Sequence, residues 1–595
     1  MKRPHWDFEY RLVSPRYEPT TSATDMVVAL RDPLDTGPLR EYLRTISEPL
    51  SIEVLVERAP LHWYRLQFAH PEKLTDVEAT LRRHGVAPRY VTSSTLGNLA
   101  LGERLRWDAA RPASAATWAT RARRAHPETN SDGRWLFHER GGIDVDRAVC
   151  GTAAGTRLAV IDDEAMESDA LELDAEVLVG TLAPSRSSLH GSLMAAWAVG
   201  VRGDGEKGVQ GFTGIAPDAS PRLYLIPKPG RDLVMLPTAI VRAVDDGADV
   251  VVCATHTDAA TTPLLDDALA FASRLGRGGK GTAVVMPTGR EISSPPGSLH
   301  ASLTLPLGDP ASDPRVLCVA PSGRDGGWFT WKDKRGRLRP FANRGPSVRV
   351  AAPGDDMAYP FAKRERLGHA ESSGAAAIAA GAALLVLATN PELTVAELYS
   401  VLSATASREA VVALEGSVAD AADFLPEGRD RDGHEARCGY GRLAAARACM
   451  AVADPLAAVL VAMGDDEAAR VHLAGPSLEK RARVQCSVEL RHLAARALLQ
   501  DAELLHQLKV IVRHFRLCAA DETRSQPPEA TARFLALVAE RLLTQAAPDP
   551  AGIELARLHQ LAVEASRGGA AAQAVETWCF EMVSWLFRSE NGPRR

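Results

Sequence analysis

The sequence predicts an α/β core with a mainly parallel sheet, preceded by a small α+β domain and followed by an all-α tail. Three observations predict it. Over residues 134–454, apolar strand-length runs alternate with helical patterns, the mark of a layered α/β fold. Residues 1–107 carry instead the order β-α-β-β-α-β, a split βαβ sandwich. Over residues 455–595 strand signal is almost gone, and Leu and Ala recur at helical spacing. At about 100–200 residues per domain, a chain of 595 residues divides into three or more.

In the first domain, residues 26–30 (MVVAL) form a strand and residues 38–46 a helix, with Leu39, Tyr42, Leu43 and Ile46 on one face. Residues 51–56 and 63–68 alternate apolar and polar side chains like a strand pair. Thr75, with Glu78 three residues on, predicts a capping box for a helix running to Leu81. Gly85 ends that helix, and residues 89–91 supply a last strand. Residues 108–133, rich in Ala, Arg, Ser and Pro with Arg121, Arg123 and Arg124 clustered, read as a linker. In the middle region, strands are predicted at 157–161, 222–226, 249–253, 282–286, 315–319 and 348–351. Helices are predicted at 190–199, 239–245 and 264–275. In the tail, residues 487–499, 502–515, 529–543 and 552–565 have the spacing of a helical bundle, with no clean repeat period.

Composition excludes several classes. Lys and Arg number 69 against 75 Asp and Glu, a net charge of -6, so a bulk-charge nucleic-acid binder is not expected. The longest nearly uncharged run, residues 374–389, is shorter than the ~18–20 residues that span a bilayer and is Ala-rich, so it predicts a buried core helix and no membrane partner. No apolar stretch follows Lys2 and Arg3, which predicts no secretory signal and a cytoplasmic location. The eight cysteines are scattered without a CxxC pair, as expected of reduced structural thiols. Neither a metal nor a cofactor is expected: carboxylates at calcium-loop spacing are missing. A nucleotide-binding reading lacks both GxGxxG and GxxxxGK[ST] at a strand–helix junction.

Three segments of the middle region bear chemistry, in the order Asp, His, Ser. LAVIDDE (158–164) is an apolar strand that ends in Asp162. HGSLMAA (190–196) is a small-residue helix opened by His190. ESSGA (371–375) places Ser373 before an unbroken Ala helix. A serine nucleophile needs a base for its proton and a carboxylate to hold that base. At the first turn of a helix, its N–H and the helix dipole also face a developing oxyanion. Taken singly, each is more often structural: a strand-end carboxylate, a His-Gly turn, a serine N-cap.

Together with their flanks they resemble the subtilisin-like serine proteases (subtilases). LAVIDDE is similar to that family's strand ending in the catalytic Asp, and HGSLMAAWAVG to its HGTxVAG helix. FTGIAPDASPRLYLIP resembles the segment that follows it, and AIVRAVDDGADVVV the helix–GADV–strand unit. FANRGPSVRVAAPG matches FSNxGPxxDVxAPG, and CGYGRLAAARA the closing GxGxxxAxxA. In SSGAAAIAAGAALLVLATNPELTVAEL, Gly381 lies eight residues after Ser373, as in GTSMASPHVAG. The resemblance implies a three-layer subtilisin-like fold and an endopeptidase acting through Asp162, His190 and Ser373. It further implies protein or peptide substrates bound along Ala254, Thr255 and His256, and a propeptide-like first domain.

The departures are local. Asp-Thr/Ser-Gly becomes Asp162-Asp163-Glu164, and Gly-Thr-Ser-Met-Ala becomes Glu371-Ser372-Ser373-Gly374-Ala375. Arg290 stands where the family has its oxyanion-hole Asn, and Ala254-Thr255-His256 replaces Ser-Leu-Gly. Arg290 is able either to donate to an oxyanion or to block the site by pairing with Glu371. An active, partner-regulated protease is thus set against a pseudoprotease that binds peptides in the same cleft. The first domain either silences the enzyme until the linker is cut or packs on it as an uncut structural domain. The tail is either a stabilising bundle or a docking module for a regulatory protein.

Overall fold

The computed structural model describes residues 22–94, 142–162, 176–179, 190–200, 213–226, 233–254, 262–289, 309–323, 330–332, 338–340, 342–354, 357–358, 367–368, 371–407, 434–453, 457, 461 and 466–474. The first domain contains β1 (Ser22–Leu30), α1 (Thr36–Leu43), β2 (Ser51–Arg58), β3 (Leu61–Lys73), α2 (Leu74–Arg83) and β4 (Pro88–Ser93). Its antiparallel sheet runs in the order β2-β3-β1-β4. Successive strand residues face opposite sides, and here both sides are apolar. Met26, Val28, Tyr64 and Leu66 pack on Leu39, Leu43, Val77 and Leu81 of the two helices. Val27, Ala29, Leu61 and Trp63 instead join a cluster built by the next domain.

That domain contains α3 (Arg147–Cys150), β5 (Arg157–Asp162), β6 (Glu176–Val179), α4 (His190–Val199), β7 (Ser220–Leu225) and α5 (Met235–Asp245). It continues through β8 (Val250–Cys253), α6 (Pro263–Gly279), β9 (Ala283–Pro287), β10 (Val316–Ser322), the short pair β11 (Thr330–Lys332) and β12 (Leu338–Pro340), and β13 (Val348–Pro353). After a two-residue pair, β14 (Met357–Ala358) and β15 (Leu367–Gly368), come α7 (Glu371–Thr389), α8 (Val395–Ala404), α9 (Ala445–Ala453) and α10 (Asp466–Ala474). Seven parallel strands lie in the order β13-β10-β9-β8-β5-β7-β6. Their runs of Val, Leu and Ala demand cover on both faces. One face is covered by α4, α7 and α9, the other by α5 and α6. The order reverses about β5: the chain builds β7 and β6 on one side, then returns to lay β8 on the other. In a parallel sheet that reversal opens a crevice at the carboxyl ends of the strands.

The first domain sits on α5 and α6. Trp63 is fully buried there, in one cluster with Leu236, Ile240, Leu265 and Leu269. At the rim, Arg58 pairs with Asp245 at 2.7 Å, and the Tyr90 hydroxyl donates to Asp267 at 2.7 Å. Arg89 donates to the other oxygen of Asp267 at 2.5 Å. The Leu233 N–H donates to the Ser94 carbonyl at 3.0 Å, so the end of the first domain lies beside the start of α5.

The predicted core strands all form, within one to three residues at each end. The capping box at Thr75 does not. β3 runs straight into α2, so the N-cap is Lys73, in extended geometry without a side-chain cap. Thr75 falls inside the first turn, and Glu78 accepts instead from Arg82 at 2.8 Å. A full capping box occurs at α8, between Thr394 and Glu397. Strand β6 carried no sequence signal strong enough to predict it. α7 is long and apolar enough to cross a membrane, but 83% of it is buried inside the fold. The linker at 108–133, the four tail helices predicted beyond 487, and Cys486, Cys518 and Cys579 lie outside the described residues. Cys150, Cys253, Cys318, Cys438 and Cys449 are buried thiols.

Candidate active site

Asp162 is the last residue of β5, at the point where the sheet order reverses. Its side chain is fully buried. His190 opens α4, and its Nδ1 lies 2.7 Å from Asp162 Oδ2. The imidazole is 36% exposed, so it bridges a buried carboxylate and the crevice. Burial, and secondarily the charge of Asp162, pushes the Cys253 thiol well above its usual range. Cys253 is therefore a neutral packing residue beside the site and not a nucleophile.

Ser373 lies in the first turn of α7, whose start is suspended from two strand ends. The Gly354 N–H donates to the Ser322 carbonyl at 2.9 Å, and the Glu371 N–H to the Gly354 carbonyl at 2.8 Å. A Cβ on Gly354 would stand 2.4 Å from the Glu371 carbonyl oxygen, so only glycine allows this approach. Glu371 takes a left-handed φ of 56°, a conformation that is nearly free for the family's Gly and strained for Glu. The Ser373 hydroxyl donates to the Ala254 carbonyl at 2.8 Å. Ala254 follows β8 directly, and its N–H donates to the Ile161 carbonyl at 3.3 Å. The ends of β5 and β8 and the starts of α4 and α7 thus converge.

Close packing holds the two helices in place. A Cβ on Gly381 would meet Ile215 Cβ at 2.7 Å and the Ala198 carbonyl oxygen at 2.9 Å, so this position in α7 lies directly against α4. The Ile215 and Ala216 N–H groups in turn donate to the Trp197 and Ala198 carbonyls at 3.1 and 2.7 Å.

Of the sequence-predicted site residues, Asp162, His190, Ser373 and Ala254 come together. Thr255, His256 and Arg290 lie outside the described residues, so the expected Arg290–Glu371 contact does too. Asn343 was missed. It is 5% exposed, and its side chain donates to the Thr288 carbonyl at 3.0 Å, just ahead of residue 290. Its place inside the quoted FANRGP segment was the available signal. Among the described residues, no group of three or more His, Cys, Asp or Glu side chains is placed to hold a metal ion.

The model of the Subtilase family matches residues 155–441. A comparison with curated proteins finds no match. Among solved structures, fervidolysin from Fervidobacterium pennivorans, a keratinolytic enzyme related to subtilisin, is 16% identical, with a TM-score of 0.45 over 73% of this chain and 61% of its own. The epidermin leader peptide processing serine protease of Staphylococcus aureus is 14% identical, with a TM-score of 0.43 over 72% of this chain and 98% of its own. MycP1 from Mycobacterium smegmatis is 21% identical, with a TM-score of 0.38 over 55% of this chain and 86% of its own. Through residues 155–441, the chain belongs to the subtilase family of serine proteases.

Proposed function

We propose that the protein is a serine endopeptidase in which Ser373 attacks a peptide carbonyl, His190 takes its proton and Asp162 orients His190. The observation that carries this reading is the 2.7 Å contact of Asp162 Oδ2 with His190 Nδ1 in the crevice where Ser373 opens α7. With Nδ1 on a buried carboxylate, the imidazole holds Nε2 free of its proton as the basic nitrogen. In the resting protein the serine proton is committed to the Ala254 carbonyl. Rotation about the Ser373 Cα–Cβ bond brings the hydroxyl to Nε2, and attack then forms an acyl-enzyme that water hydrolyses. The N–H at the start of α7 faces the oxyanion, with Arg290 as the second donor.

A fluorophosphonate probe tests this: wild type labels at Ser373, and Ser373→Ala abolishes labelling and lowers turnover by a factor on the order of 10³ or more. A folded wild type that never labels, even after limited proteolysis, would refute it. The second reading, a pseudoprotease that binds peptides without turnover, is favoured by Glu371, whose strained conformation puts a carboxylate two residues before the nucleophile. Peptide binding without turnover in the same assay selects it.

The first domain acts as a propeptide-like inhibitor in this proposal, supported by the Ser94–Leu233 hydrogen bond at the edge of α5. A discrete N-terminal fragment on activation, missing in Ser373→Ala, is the expected sign. The tail from 455 is either a stabilising bundle or, in the alternative, a docking module for a regulatory protein; deleting it separates the two by loss of solubility or of targeting.

A further inference from the structure

One residue, Asn343, holds two consecutive carbonyls beside the site, one with its side chain and one with its backbone N–H. β9 ends at Pro287, and Thr288 is fully buried, its N–H donating to the Val319 carbonyl of β10 at 3.0 Å. Gly289 follows with a left-handed φ of 67°. Asn343 arrives from the segment before β13. Its Nδ2 donates to the Thr288 carbonyl at 3.0 Å, and its own N–H donates to the Gly289 carbonyl at 3.1 Å. Each carbonyl shares a rigid plane with the N–H of the following residue. Holding the Thr288 carbonyl therefore aims the Gly289 N–H.

We propose that Asn343 is a positioning residue for the oxyanion side of the cleft, setting through these two carbonyls the direction in which the turn at Thr288 and Gly289 faces the substrate. The inference rests on the peptidase reading above. An amide suits the task, because it donates to a carbonyl without bringing a charge, whereas a carboxylate of equal size presents only acceptors. The oxyanion exists only in the transition state, so a misaimed turn lowers kcat and leaves substrate binding nearly unchanged. A merely structural hydrogen bond would lower thermal stability and leave the kcat of the folded molecules intact.

The test uses the full chain with an internally quenched peptide substrate, together with thermal melting and amide hydrogen exchange. Asn343→Asp sets two oxygens against each other; Asn343→Ser removes the side-chain donor without that repulsion. Both are expected to lose about 10-fold or more in kcat with KM held within about twofold, and the serine variant to melt near wild type. The Thr288 amide is expected to exchange slowly in wild type and faster in both variants, with α7 unchanged. An active wild type whose folded Asn343→Ser variant keeps its kcat overturns this inference alone. Rapid exchange at Thr288 in wild type overturns it whatever the variants do. An inactive wild type overturns the peptidase reading and this inference with it.

Discussion

The two faces of the central sheet are built by different rules. On the α4 and α7 side, every residue of α4 from Gly191 to Val199 is buried, as is every residue of α7 from Gly374 to Leu387. Both helices are apolar all round, and small residues let them touch, as Gly381 does against Ala198 and Ile215. On the α5 and α6 side, the sheet carries a charge. Arg222 of β7 is 3% exposed and lies 3.3 Å from Asp246, which also accepts from the Tyr224 hydroxyl at 2.8 Å. The outer surfaces of α5 and α6 are then covered by the first domain. The helix that carries Ser373 thus stands on a face the middle domain closes by itself, while the opposite face is completed by the first domain. The packing of α4 and α7 against the sheet therefore does not depend on the first domain.

The comparison can be broken most forcefully at the buried charge. Asp246→Ala removes a carboxylate shared by Arg222, Arg242 and Tyr224, and a loss of about 3–5 kcal/mol is expected on denaturant unfolding. A loss under about 1 kcal/mol would mean that this face does not depend on its charge. Next, Leu384→Ala opens a cavity in α7, where Leu384 is fully buried, at about 2–5 kcal/mol. If the apolar face is the rigid support, labelling of Ser373 slows in this variant. Unchanged labelling with lowered stability would separate support from site.

The smallest effect concerns the first-domain interface. Burial, and then the Asp267 carboxylate, raises the Tyr90 phenol above its usual range. A group whose folded pKa is raised contributes stability fully present below its unfolded pKa, about 10, and lost as pH rises past it. Tyr90→Phe is expected to weaken the interface at pH 8 by about 1.5–3 kcal/mol, a hydrogen bond to a charged acceptor. It should also flatten the alkaline loss of thermal stability. An identical alkaline slope in both proteins would exclude Tyr90 as its source.

Much of the catalytic core was legible because its signals are local. Asp162 follows a run of apolar strand residues, His190 opens a helix of small ones, and Ser373 precedes an Ala helix, so each announces its own element. The failures were also local in cause. Thr75 has the right residues for a cap, but β3 enters α2 without a turn and puts the cap two residues earlier. Asn343 was marked only by its place in the FANRGP segment and its contact was not legible, because the carbonyl it holds is 55 residues away in sequence.

By itself the sequence determined the alternation of strands and helices and the βαββαβ order of the first domain, and it singled out Asp162, His190 and Ser373 as candidates. These follow from periodicity and residue type, which act over a few neighbours. Only the tertiary structure decided that Asp162 and His190 stand 2.7 Å apart and that the Ser373 hydroxyl rests on Ala254. It alone decided that the second apolar face of the first domain is closed by α5 and α6. A strand apolar on both sides, as residues 26–30 are, shows that both must be buried, but what buries them is set by which surfaces meet when the chain packs.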